Sequence, residues 1–150
     1  MRAYADTSFL CALYRLQDNS FQAAAYVQGM REPLNLTSLS LFEFRQSIRL
    51  QIFLNEKDHR KGFNRASGLA AQAKLQSNLA SGGVLLVAVD WSDVHSVAER
   101  LSAQHTLSGG HRSFDILHVA TALHLGAGEF LTFDVNQRKL AQAEGLRVPL

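Results

Sequence analysis

The sequence predicts an α/β fold, a three-layer α/β/α sandwich around a central parallel sheet of about five strands. Three observations lead there. Short apolar segments of strand character alternate with segments of helical period along the whole chain, which is the pattern of crossovers that set parallel strands side by side with helices on both faces. The 150 residues, 47% hydrophobic and 19% charged, suffice for one compact domain, 1–150, with a real core. No internal repeat, low-complexity tract or linker divides them.

Arg2-Ala3-Tyr4-Ala5 reads as the first strand. Asp6-Thr7-Ser8 then offers capping oxygens to a helix in which Phe9, Leu13 and Leu16 fall at helical spacing. A second helix is expected from about Ser20 to Met30, broken by Pro33, before Leu34-Asn35-Leu36-Thr37 forms strand two. Ser38 or Ser40 starts a third helix with two apolar stripes, Leu41, Phe44, Ile48 and Ile52 on one and Leu39, Phe42 and Phe53 on the other. So wide an apolar face needs more than one packing partner. A polar, basic stretch from Asn55 to Arg65 precedes a helix from about Ala66 to Leu79, which Gly82-Gly83 ends. Val84 to Val89 is a continuous apolar run, the mark of a strand covered on both faces. Asp90 to His105 reads as a helix with Val94, Val97 and Leu101 inward, and Ser108-Gly109-Gly110 as a loop. Ser113 is placed to cap a helix running to about Leu125. Gly126 and Gly128 make the turn into strand four, Phe130 to Phe133. Asp134-Val135-Asn136-Gln137 resembles a capping box before a last helix, and Leu146-Arg147-Val148 is a candidate final strand.

Composition narrows the function classes. The single cysteine, Cys11, excludes an internal disulfide, suits a reducing cytosol and reads as a buried small hydrophobe. No run of Cys and His suggests zinc. No apolar stretch approaches the roughly 20 residues of a membrane span, and Asp6 interrupts the apolar N-terminal run where a signal peptide would need it unbroken. A soluble, cytoplasmic protein is expected. The net charge of +2 decides little alone, but with four of the 13 acids set aside as a metal pocket, 15 Lys and Arg face nine acids elsewhere. An acidic pocket in a basic surface suits a polyanionic substrate.

Those four acids are Asp6, Glu43, Asp115 and Asp134. Asp6 and Asp134 directly follow the first and fourth strands, at the carboxyl ends where open α/β sheets bind ligands. Asp115 lies in the first turn of its helix, where amide dipoles favour an ionised carboxylate. Glu43 lies one turn into a helix that also starts beyond a strand's carboxyl end. Each acid has a simpler role open to it. Asp6 and Asp134 are also well placed as helix N-caps, and Asp115 as a surface acid near a dipole. Glu43, with Leu39, Leu50 and Leu54 as helical neighbours, belongs near the core and needs a cation or donors. Asp90 also follows a strand, so that position is not sufficient; Asp90 and Asp93 read as helix-start acids.

Four motifs in order resemble those of PIN domains, and of the VapC-type toxins among them: Tyr4-Ala5-Asp6-Thr7-Ser8; Leu39-Ser40-Leu41-Phe42-Glu43; Arg112 to Ala120 around Asp115; and Leu131-Thr132-Phe133-Asp134 with Gln137, Leu140-Ala141 and Gly145-Leu146. The resemblance covers nearly the whole chain, most specifically in the last two motifs and least from Arg49 to Arg65. It implies a sheet of order 3-2-1-4-5, with Asp6 and Asp134 side by side at its centre and Asp90 on an edge strand.

Carboxylates packed this closely repel and raise each other's pKa unless a cation joins them. Mg²⁺ or Mn²⁺ suits an all-oxygen site, lowers the pKa of a bound water and polarises a phosphoryl oxygen. The resemblance implies hydrolysis of RNA in this way, leaving a 5′-phosphate and a 3′-hydroxyl. Asp6 and Asp115 are then expected to ligate the main metal, with Asp134 completing the shell directly or through water. Glu43 would hold a second metal or orient the attacking water, and Thr7 and Thr132 would hydrogen-bond the carboxylates. His118 lies one turn beyond Asp115 and could join the site, where motifs of the family the chain resembles often carry a His, but a lone His on an apolar helix favours packing. Arg112 is placed either to contact a substrate phosphate or to pair with a site carboxylate. Six cations fall between Arg45 and Arg65; Lys57, Arg60 and Lys61 among them form either a solvated face or an RNA track.

Two rivals remain at the level of sequence. An aspartate-based phosphohydrolase would need a second Asp two residues after Asp6, where Ser8 stands. A non-catalytic PIN-like RNA-binding or assembly module would be favoured by loss of an acid, and all four are present. The apolar surplus of the third helix leaves two possibilities: both stripes are core beneath the Ala66–Leu79 helix, or one forms an exposed groove. The resemblance implies an antitoxin segment for such a groove, and a homodimer.

Overall fold

The computed structural model of the chain describes residues 3–150. Its centre is a parallel sheet of Ala3–Ala5 (β1), Leu34–Leu36 (β2), Val84–Leu86 (β3) and Glu129–Leu131 (β4), in the order β3-β2-β1-β4. Arg147 makes a single parallel bridge to Glu129 on the free side of β4, so the fifth strand of the expected order shrinks to one bridge. Pro149, close behind it, offers no N–H to extend a ladder. Of the first expected strand, Arg2 lies outside the described residues.

Helices cover both faces. Thr7–Tyr14 (α1), Ser20–Gln28 (α2), Ser38–Lys57 (α3) and Arg65–Ala80 (α4) build one side. Trp91–Leu101 (α5), Leu107–Gly109 (α6), Ser113–His124 (α7) and Val135–Ala143 (α8) follow, with a π-helical turn at Ser102–Thr106 joining α5 to α6; α5, α7 and α8 pack on the other face. The period-2 alternation of the strands sorts the core into these layers. Ala3, Ala5 and Leu131 join Phe9, Leu10, Phe44, Ile48 and Leu75, whereas Tyr4 and Phe130 join Val94, Leu101, Val119 and Leu140. Each fully buried Leu, Ile or Phe contributes roughly 1.5–3 kcal/mol, so both faces need their cover.

Several elements depart from the sequence reading, each for a local reason. Helix α1 stops at Tyr14, and Leu16, expected to continue its apolar stripe, is 93% exposed. Strand β3 ends at Leu86, and it is not covered on both faces: Leu85 and Leu86 are exposed on this edge strand of the sheet. Helix α3 takes Thr37, not a serine, as its N-cap, with the hydroxyl accepting from Ser40 N–H at 3.3 Å. Ser113 does not cap α7; Arg112 holds that position without a side-chain cap bond. The expected loop at Ser108–Gly110 is the end of a helical turn, closed by Gly110 in the left-handed region at φ 65°. Of the two stripes on α3, Phe44, Ile48 and Ile52 are buried, while Phe42 and Phe53 remain 53% exposed each. Helix α4 therefore covers one stripe and not both. Among the described residues no helix is long and apolar enough to cross a membrane.

Candidate active site

Asp6 leaves the carboxyl end of β1 and caps α1. Its backbone N–H donates to Leu131 O at 3.1 Å, which ties it to the end of β4, and its Oδ1 accepts from Phe9 N–H at 2.9 Å. Ser8 Oγ donates to the same carboxylate at 2.8 Å, and Thr132 Oγ1 donates to Oδ2 at 2.6 Å. The group is wholly buried, and that desolvation raises its pKa above the usual carboxylate value despite His118 nearby and the three donors. A fully buried carboxyl so well supplied with donors is oriented, but it is costly to ionise unless further positive charge arrives.

Thr132 couples Asp6 to Asp134. The hydroxyl that donates to Asp6 accepts Asp134 N–H at 2.9 Å. Asp134 Oδ1 in turn caps α8, accepting from Asn136 and Gln137 N–H at 2.8 and 2.9 Å. Only this half of the expected capping box forms, since the Gln137 side chain makes no return bond and its Oε1 is buried without a partner. The other oxygen, Oδ2, faces Arg112. The Arg112 guanidinium grips Asp115 through Nε to Oδ2 at 3.1 Å and Nη2 to Oδ1 at 3.4 Å, and Nη2 lies 3.7 Å from Asp134 Oδ2. Asp115 Oδ1 and Asp134 Oδ2 are thus no more than about 7 Å apart, with a cation between them. Arg112 is itself 77% exposed, so the pair is tied at its surface and not sealed in the core.

Glu43, on the second turn of α3, reaches the pocket from the β2 side. Thr7 Oγ1 donates to its Oε2, and His118 Nε2 lies 2.6 Å from the same oxygen. His118 is completely buried, and its Nδ1 is 2.8 Å from Tyr4 Oη. Burial opposes a charge on this imidazole, but Tyr4, the bonded Glu43 and nearby Asp6 outweigh it and push it up to about 10. As an imidazolium it donates from both nitrogens. Tyr4 then passes its own hydrogen to Ser40 at 3.1 Å, and Ser40 faces Ala5 O at 3.5 Å. Partial burial pushes the Glu43 carboxyl up, but the His118 bond and charge, with Thr7 and Arg112, hold it below its usual value. His118, for which packing was favoured over joining the site, does both: it is buried in the core and holds Glu43.

The four acids therefore come from four separated segments to one end of the sheet. Thr7 contacts Glu43, Thr132 contacts Asp6, and Arg112 contacts Asp115. Asp90 stays apart, capping α5 from beyond the edge strand, two strands or roughly 10 Å from β1. Lys57, Arg60 and Lys61 lie at and beyond the far end of α3, roughly 20 Å along its axis from Glu43 at the usual helical rise. Arg60 is paired there with Asp58 at 3.1 Å. Ser8, Tyr4 and Ser40 were missed from sequence. Ser8 left a signal, since a hydroxyl two residues beyond an N-cap Asp can reach back to its carboxylate. Tyr4 and Ser40 left none, because their contact spans 36 residues.

The oxygen-only acid set fits a hard divalent cation such as Mg²⁺ or Mn²⁺, and Arg112 already stands between two of its members as a positive charge. Among the described residues no three Asp, Glu, His or Cys side chains close on one point. Such an ion would then take one or two carboxylates directly and the rest through water, which is how Mg²⁺ commonly binds.

No curated protein matches the chain in sequence. Its fold resembles VapBC-1 from nontypeable Haemophilus influenzae, with a TM-score of 0.65 and 14% identity over 99% of this chain and 96% of that one. It also resembles Mycobacterium tuberculosis VapC20, described as a sarcin-ricin loop cleaving toxin, with a TM-score of 0.65 and 19% identity over 96% and 95%. FitAcB from Neisseria gonorrhoeae gives a TM-score of 0.61 and 17% identity over 97% and 95%. Sharing their fold, built on a sheet with its acids gathered at the carboxyl ends of β1 and β4, and matched over residues 3–143 by the family model described as PIN domain, the chain belongs to the PIN-domain family.

Proposed function

We propose that the protein is a Mg²⁺- or Mn²⁺-dependent endoribonuclease, the toxin of a VapBC-type toxin–antitoxin pair. The observation that carries the reading is the gathering of Asp6, Glu43, Asp115 and Asp134 at one end of the sheet, with the Arg112 guanidinium between Asp115 and Asp134, in a chain of the PIN family. The fold shared with VapC20, itself described as a cleaving toxin, supports it. In this reading Asp6 and Asp115 hold the main cation and Asp134 completes its surroundings. A cation bound there supplies charge neutralisation at a phosphoryl oxygen and acidifies a water molecule.

The chain's own residues do the rest. Thr132, Ser8 and Phe9 N–H fix Asp6 so that it meets its partner without reorganising. His118 and Thr7 hold Glu43 ionised and turned into the pocket, as a base or orienting group for the attacking water needs. Arg112, mostly exposed, can exchange Asp115 for a substrate phosphate. Lys57, Arg60 and Lys61 are distal contacts at most for an extended RNA.

Partners follow from the exposed stripe of α3. Phe53 lines an open groove of about 330 Å³ between α3 and α4 with Ile52, Leu69 and the stems of Arg49 and Arg65. A groove of this character suits an apolar helix, and the likeness to VapBC-1 and FitAcB supports an antitoxin there. A homodimer would draw on the same surplus of apolar surface.

The test is incubation of the purified protein with total cellular RNA, with and without Mg²⁺, and mapping of the new ends. Discrete cleavage with 5′-phosphate ends only in the presence of the cation supports the reading. Release of phosphate from small esters without RNA cleavage points to a phosphohydrolase instead.

A further inference from the structure

Between the segment 102–112 and α8 runs a cleft of about 350 Å³. His105, Ser108 and His111 wall one side; Asn136, Lys139 and Leu140, on one face of α8, wall the other. One end opens beside the acid pocket. Asn136 is two residues beyond Asp134, and His111 directly precedes Arg112, whose guanidinium lies 3.7 Å from Asp134. Toward the other end the acid Glu144 is held by Arg100 and His105, each at 2.8 Å. No acid lines the cleft itself.

His105 is committed to Glu144, and the Ser108 hydroxyl donates to His105 O at 3.2 Å, but Lys139 and His111 are free to take a ligand. Lys139 is exposed and pairs with no acid among the described residues. The His111 ring rests on Gly109, where a Cβ would lie 2.4 Å from Nε2 and would push the ring aside. His111 Nδ1 is shielded from solvent and has no hydrogen-bond partner, so the ring gives up no bond when it turns to meet a ligand. The preceding π-helical turn is a feature often found at working sites. By contrast, Arg60 and Arg65 on the α3–α4 side are already answered by Asp58 and Glu56.

We infer that this cleft seats a backbone phosphate of the RNA beside the scissile position, held by Lys139 and His111 with Asn136 as a neutral donor. The inference rests on the nuclease reading and names where its substrate runs. An unpaired ammonium in an acid-free cleft attracts a phosphate from any sequence, and the imidazole and the Asn136 amide set its position. The arrangement gives the strand a direction out of the pocket, along α8 and away from α3.

The test uses the full chain and a labelled single-stranded RNA 20-mer. Binding is measured by anisotropy across a salt series in the cleavage-deficient Asp6→Asn background, adding Lys139→Gln alone, then His111→Ala with it. Lys139→Gln, at a solvent-exposed position, leaves the fold unperturbed. It should lower the salt slope by about one, and the pair should weaken binding about tenfold. In the chain with Asp6 restored, the pair should raise KM for the same RNA and leave kcat within about twofold. Neutralising Lys57, Arg60 and Lys61 together should do less. If the otherwise unaltered protein cleaves RNA with Mg²⁺ but both the slope and KM ignore Lys139 and His111, the cleft is overturned and the nuclease reading stands. If that protein cleaves no RNA, the nuclease reading falls and the cleft falls with it.

Discussion

Asp6 carries the sharpest conflict in the molecule. It is fully buried and receives donors from Ser8, Phe9 and Thr132, yet burial still raises its carboxyl. Asp6→Asn keeps an acceptor for Phe9 N–H and removes the charge that burial penalises. Without divalent cation the variant should therefore melt above the natural protein; each 1 kcal/mol of relief is about 2–4 °C in a chain of this size. RNA cleavage should fall on the order of 100-fold or more in the same protein. A lowered Tm in excess chelator would show that the carboxylate is structural and not reserved for a cation. His118 separates its two contacts in a pair of amides. Gln places its amide near the imidazole Nε2 position and Asn near Nδ1. His118→Gln should keep Glu43 oriented and most of the cleavage rate, while His118→Asn keeps Tyr4 and loses the rate. Equal loss in both, with equal melting points, would reduce His118 to packing. Asp6, Asp115 and Asp134 were legible because each sits at a strand end or in a first helical turn, and Glu43 because a carboxylate stands out among apolar helical neighbours. The bond from His118 to Glu43 was not, because it joins positions 75 apart in sequence and only the closed fold brings them together.

At the scale of elements, the alternation of strand and helix was readable throughout, and the errors fall at the edges. The run Val84–Val89 has the composition of a central strand, but composition does not say which strand ends a sheet, and β3 does. The final strand failed for want of length, and the π-helical turn at Ser102–Thr106 has no signature in hydrophobic period. That turn is pinned to α8 by Glu144, which pairs with Arg100 and His105. Arg100 first, against modest desolvation, and then His105 hold the Glu144 carboxyl below its usual value of 4.5. A depressed carboxyl stabilises the fold above its unfolded pKa and loses that contribution as pH falls through the folded one. Glu144→Gln should therefore cost about 0.5–1 kcal/mol near neutral pH, and its urea midpoint should converge on that of the natural protein well below pH 4.5. A constant gap down to acid would mean that shape, not charge, joins these elements. The turn after α3 depends on Gly62, at φ 58°, where a Cβ would come 2.0 Å from the Gln51 carbonyl oxygen. Gly62→Ala should cost about 2 kcal/mol or more, a fall of roughly 4–8 °C in Tm by calorimetry. An unchanged Tm would show that the 58–64 turn is free to move off α3.

For the whole molecule, one side of the sheet carries chemistry at its carboxyl end and apolar surplus on α3. Phe42 and Phe53, at 53% exposure on one helix, are residues a monomer has little reason to keep. Light scattering should report a homodimer, and Phe53→Lys with Phe42→Lys should weaken it or abolish capture of the co-expressed neighbouring gene product. A strict monomer that captures no such product would leave the exposed stripe without an occupant. The central claim is that the acids at β1, α3, α7 and α8 form one cation-dependent nuclease site and that Asp90 lies outside it. The most direct measurement is the rate of RNA cleavage by four samples in one assay: the natural protein with Mg²⁺, the same with excess EDTA, Asp115→Asn with Mg²⁺, and Asp90→Asn with Mg²⁺. The account predicts cleavage in the first and last at comparable rates and almost none in the other two; full cleavage in EDTA or by Asp115→Asn, or a dead Asp90→Asn, would contradict it.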